Sequence, residues 1–165
     1  MRRPTPDPIA PGQESVWDYP RPPRLELRTE RVEIHLGGRL IASTSDAYRV
    51  LETSHPPTYY LPSAAFVVGA LEPASGSSFC EWKGQAAYLD VVGGDERRPG
   101  SGWTYPDPTA PFAALAGYVS VYPAAMDRCT VDGEIVRAQP GGFYGGWITD
   151  RVLGPFKGAP GSAGW

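Results

Sequence analysis

Cysteine, histidine and methionine are scarce in this chain, with two of each among 165 residues, and each scarcity removes a class of function. Cys80 and Cys129 stand 49 positions apart, and neither has a second cysteine two residues beyond it. Together with His35 and His55 they give no well-spaced four-ligand zinc set, so no metal is expected. Without an export signal the two cysteines are expected as free thiols, a Cys80–Cys129 bridge being the less expected alternative. No apolar run approaches the ~18 residues of a membrane helix, and Met1-Arg2-Arg3-Pro4 is not followed by the apolar stretch of a signal peptide. The expectation is a soluble cytoplasmic protein without a membrane partner. Fifteen basic side chains face 18 acidic ones, and no run of Lys or Arg exists to neutralise a phosphate backbone, so nucleic acid is not an expected partner. No Gly-Ser followed by paired aspartates and no phosphate-cradling loop occurs, so no cofactor is expected either.

Glycine (20) and proline (19), by contrast, are abundant, and aromatic residues reach 12%. Many turns and many aromatics point to β structure, and 41% apolar residues suffice for the core of one domain. Seven prolines between positions 4 and 23 mark residues 1–23 as an extended arm, disordered at its start and pinned through Trp17-Asp18-Tyr19-Pro20. Residues 24–138 form the β domain. Residues 139–165 carry eight glycines and the aromatics Phe143, Tyr144, Trp147, Phe156 and Trp165, too many for a free tail, so this tail is expected to wrap and dock on the domain.

Within the domain, Val32, Ile34 and Leu36 alternate with polar residues up to Gly37-Gly38, and Leu40-Ile41-Ala42 resumes: a β-hairpin. The same shape recurs at Thr130 to Val136 around Asp132-Gly133, and around Gly93-Gly94 after Tyr88 to Val92. Further strands are predicted over Ala47 to Glu52, with Tyr48, Val50 and Glu52 on one face and Arg49 and Leu51 on the other, over Thr58 to Leu61, and over Phe66 to Leu71. One short helix is predicted over Ala110 to Ala116, with Thr109 as N-cap, Pro111 in the first turn and Gly117 as its stop.

Three motifs give a specific resemblance: Leu51-Glu52-Thr53-Ser54-His55-Pro56-Pro57-Thr58-Tyr59-Tyr60-Leu61-Pro62, Cys80-Glu81-Trp82-Lys83-Gly84, and Trp103-Thr104-Tyr105-Pro106-Asp107-Pro108. In this order they are similar to the bacterial domain-of-unknown-function family 427 over about Val32 to Val136, and the tail Gly141 to Trp147 resembles an extension found on some members. The resemblance implies a β-tent of the Mss4-like kind, two antiparallel sheets meeting at an angle. Many fold relatives hold zinc between paired Cys-x-x-Cys knuckles, which this chain lacks, and the family also carries a nucleotidyltransferase label, for which the residues offer no magnesium or phosphate site.

The stretch Ser78 to Pro108 concentrates the chemically capable side chains. Lys83 beside Trp82 is either a surface charge whose stem covers the indole or a lysine whose ammonium meets an anionic group of a ligand. Cys80 is either a small buried hydrophobe or a nucleophile. Glu52, on an apolar strand face, needs a partner, and Lys83 is the candidate; a structural ion pair is the plainer reading. His55 reads first as a turn residue before Pro56-Pro57, with a role in the site as the alternative. Tyr60, Trp82, Trp103 and Tyr105 form either part of the core or an aromatic box in which a flat ring or cation gains roughly 0.5–2 kcal/mol per well-placed face. The preferred reading is a small-molecule ligand bound between Tyr60, Trp82, Trp103 and Tyr105 with Glu52 and Lys83 as polar ends. An enzyme using Cys80 or Lys83 with Glu52 as proton acceptor is one alternative, and a scaffold protein acting through arm and tail is another.

Overall fold

Period-two alternation and tight turns build the sheets of residues 3–165, the part described in the computed structural model. A two-residue strand, β1 (Glu14–Ser15), precedes β2 (Arg24–Leu27). The hairpin of β3 (Val32–Leu36) and β4 (Arg39–Thr44) turns at Gly37-Gly38, both at positive φ, a backbone glycine adopts without strain. Then come β5 (Tyr48–Leu51) and β6 (Thr58–Pro62), followed by the long strands β7 (Leu71–Cys80), β8 (Gly84–Gly93) and β9 (Glu96–Thr104). After β10 (Tyr118–Val121), the hairpin of β11 (Arg128–Val131) and β12 (Glu134–Ile135) turns at Asp132-Gly133. Short strands β13 (Arg137–Ala138), β14 (Trp147–Ile148) and β15 (Val152–Leu153) end the order.

Two antiparallel sheets carry the fold, one of seven strands in the order β2-β5-β6-β10-β9-β8-β7 and one of four in the order β12-β11-β3-β4. The mainly β, antiparallel class expected from the sequence holds, with an architecture consistent with a β-tent. The core lies between the sheets: Ile34, Leu36, Ile41 and Val131 from the smaller meet Tyr59, Leu61, Val91, Val119 and Val121 from the larger. Trp147 of β14 completes it, fully buried and stacked on Tyr59 at 5.1 Å. Because side chains alternate, the opposite face of the larger sheet presents Val50, Tyr60, Ala86 and Trp103, a second cluster that forms one wall of a cavity.

The arm and the tail meet. β1 pairs in parallel with β15, the Trp17 indole donates to the Pro155 carbonyl at 3.0 Å, and Val16, Trp17 and Tyr19 pack with Leu51, Ile148 and Val152. Arg49, only 4% exposed, donates to Glu26 and Glu14 at 2.6 Å each, and the Tyr19 hydroxyl donates to Glu14 at 2.6 Å. The arm thereby supplies a counter-charge that a buried guanidinium requires.

Several local expectations are corrected. The expected helix over Ala110 to Ala116 is a 3-10 segment, Ala110–Leu115, broken at Phe112. Thr109 does not cap it: its hydroxyl donates instead to the Trp82 carbonyl at 2.5 Å. Residues 66–70 form a turn with one bridge from Phe66 to Ala42, and the strand begins only at Leu71, because Val67 and Val68 face water. β5 ends at Leu51, so Glu52 lies beyond the apolar strand face rather than on it. Disorder at the start of the arm falls partly on Met1 and Arg2, outside the described residues; from Asp7, whose N–H donates to Gly154 at 2.8 Å, the arm is held against the tail. Phe143 does not dock, being 77% exposed.

Candidate functional site

The cavity on the outer face of the larger sheet measures about 390 Å³, within the size range of small-molecule sites. Four separate stretches of the chain reach it: residues 50–60, 78–88, 103–122 and 139–145. Glu52, Tyr60, Cys80, Trp82, Lys83, Trp103 and Tyr105, the residues singled out in the sequence, all line it.

Its floor is aromatic. The Trp103 indole N–H donates to the Tyr60 hydroxyl at 3.1 Å, the two rings standing edge to face at 6.4 Å, and Tyr122 packs on Trp103 at 4.6 Å. Tyr60, Trp103 and Tyr105 are buried, and Trp82 is half-buried at the rim. Burial pushes the Tyr60 and Tyr105 phenols well up from their usual range, so both stay protonated donors at neutral pH.

The rim is the β7–β8 turn, Glu81-Trp82-Lys83, held against the segment after Tyr105 by two bonds from Thr109: its N–H to the Lys83 carbonyl at 3.0 Å and its hydroxyl to the Trp82 carbonyl. This brace sets the Lys83 ammonium 5.7 Å from the centroid of the Tyr105 ring, a cation on an aromatic face. The expected pairing of Glu52 with Lys83 is not formed. Glu52 turns at the strand end toward the arm, its carboxylate 3.3 Å from Arg21 and 3.7 Å from His55. No carboxylate among the described residues lies within ion-pair distance of Lys83.

His55, for which a site role was the second reading, lines the cavity, and Gln139, Tyr88 and Tyr122 enter the lining without having been predicted there. Tyr122 was within reach of the sequence, since the alternation Tyr118-Val119-Ser120-Val121-Tyr122 places it opposite the core valines. Gln139 gave no signal. Its Oε1 accepts from the Gly146 N–H at 3.0 Å, which turns its Nε2 toward His55 Nδ1 at 3.2 Å and the Lys157 carbonyl at 2.8 Å. With Nδ1 accepting, a neutral His55 carries its proton on Nε2, the side facing Glu52. Burial holds His55 below the ordinary histidine value, against the opposing pull of Glu52. The tail closes the cavity beside this group: a side chain on Gly145 would run into the Trp103 ring.

The cysteines do not form a metal site. Cys80 ends β7 among the cavity aromatics, whereas Cys129 is sealed between the sheets, where burial pushes its thiol up. No group of three His, Cys, Asp or Glu side chains placed to hold a metal ion occurs among the described residues. No helix of the described residues is long and apolar enough to cross a membrane.

Comparison with curated proteins finds no match. A family model does match, over residues 24–132, a span holding all three sequence motifs and every cavity residue except those of the tail. The chain belongs to the family described as a domain of unknown function, DUF427.

Proposed function

We propose that the domain binds a small molecule carrying a flat ring in the cavity between Tyr60, Trp82, Trp103 and Tyr105. The observation that supports this reading is the convergence of four chain segments, aromatic on their inner faces and polar at their edges, on one space of about 390 Å³. A cavity of that kind gives a ring large contact area at little conformational cost, while a few polar groups fix its orientation. The alternative of a Cys80 nucleophile has less support. An activated thiol needs a base in hydrogen-bond reach, and Cys80 makes no side-chain hydrogen bond among the described residues.

The test is a titration of the isotope-labelled protein with a set of one- and two-ring fragments, followed by the indole N–H signals of the five tryptophans. Binders are expected to shift Trp103 and Trp82, and Trp82→Ala is expected to weaken them about tenfold, the ~1.4 kcal/mol of one well-placed aromatic face. Fragments that leave both signals unmoved, or that bind Trp82→Ala equally well, would overturn the reading.

A further inference from the structure

We infer that the cavity selects a planar ring bearing an anionic group, with Lys83 and Tyr105 holding the anion and Trp82 and Trp103 bounding the ring; this rests on the reading of the cavity as a ligand site. The argument is a census of the charged groups and protons that face the space. Glu52 is already matched by Arg21 at 3.3 Å, and its other neighbour is the Nε2 side of His55. Glu81 belongs to the exposed rim. Lys83 is left as a half-buried cation on the Tyr105 ring with no carboxylate in reach among the described residues. An ammonium at a cavity rim with no carboxylate partner is complemented by an anion.

The direction of the hydrogen bonds agrees. An indole N–H can only donate, so Trp103 makes the Tyr60 oxygen an acceptor and leaves the Tyr60 proton to be passed on. Tyr105 also lines the cavity, on the side where Lys83 sits over its ring, and burial keeps its phenol protonated as a donor for a group in the cavity. A cationic ligand would find an unmatched carboxylate only in Glu81, on the exposed side of the rim; an anionic one would meet an ammonium and a phenol.

The experiment uses three compounds of one shape, 2-naphthoate, 2-naphthamide and 2-naphthylmethylamine, titrated into the full chain and into Lys83→Met and Tyr105→Phe, both checked for an unchanged fold by their amide spectra. Naphthoate is expected to bind at least tenfold more tightly than the amide or the amine. Lys83→Met is expected to erase that preference while keeping the amide's affinity, and Tyr105→Phe to reduce it severalfold. Equal or tighter binding of the amine or the amide would overturn the assignment of charge while leaving the ligand site standing. A preference for naphthoate that survives Lys83→Met would overturn the role of the lysine. If none of the three shifts the Trp103 signal, the cavity is not a site for flat rings and both readings fall together.

Discussion

Tyr60 shows how much one side chain carries here. Its ring divides the cavity from the sheet, and its oxygen is the acceptor of the buried Trp103 indole. Tyr60→Phe keeps the ring but leaves that N–H without a partner, and an orphaned buried donor costs about 1–3 kcal/mol. Urea unfolding should show a loss of that size for Tyr60→Phe and a smaller loss once Trp103→Phe is added, because the second change removes the stranded donor. Additive losses would mean that the bond is not made in solution. At this scale the sequence was legible in kind more than in pairing. Tyr60, Trp82, Trp103 and Tyr105 were readable as a group from their spacing within turn-rich motifs. The partner of Glu52 was not readable, since Arg21 approaches it from the arm, 31 positions earlier (52 − 21), and no periodicity reports such a distance. The burial of Arg49 was equally silent, because an arginine within an alternating strand reads as a solvent-facing residue.

Among the elements, the hairpins were the easiest to foresee and β7 the hardest. Gly37-Gly38 and Asp132-Gly133 announce turns through residues that tolerate positive φ. β7, Leu71-Glu72-Pro73-Ala74-Ser75-Gly76-Ser77-Ser78-Phe79-Cys80, shows no apolar alternation because it is an edge strand whose middle packs against nothing. Its proline and its register shift between Pro73 and Ser77 are features that edge strands tolerate and central strands do not. β14 has the opposite character: two residues long, yet it delivers the most deeply placed aromatic of the core. Trp147 stacks on Tyr59 and donates to the Val121 carbonyl at 3.3 Å. Trp147→Ala should therefore lower stability by about 3–5 kcal/mol, the usual cost of emptying a large aromatic site. Chemical denaturation reads this directly, and a change below about 1 kcal/mol would show that the tail rests on the surface instead of entering the core.

Over the whole molecule, the burial of phenols sets an alkaline limit. Tyr19, Tyr59, Tyr60 and Tyr105 are all raised by burial, Tyr59 to about 12. A group raised in the fold supplies stability that is complete below its unfolded value, 10.0 for tyrosine, and is lost as the pH climbs from there through the folded value. The urea midpoint should accordingly be insensitive to these groups below pH 10 and fall above it, with buried tyrosines giving up their protons only as the fold opens. Ionisation of all nine tyrosines near pH 10 with the fold intact would contradict the described burial. The pairing of β1 with β15 has a different kind of consequence, one of order in time. Trp17 and Pro155 are joined by a hydrogen bond across 138 residues, so although the arm also meets β5 and Glu52, its seat stays half-built until nearly all the rest of the chain is in place. Contacts of such long range form late and slow folding. On a ribosome, which extrudes the chain from its N-terminal side, the arm can meet β5 early but must wait for the tail, so a stretch made among the first is among the last to be fully covered.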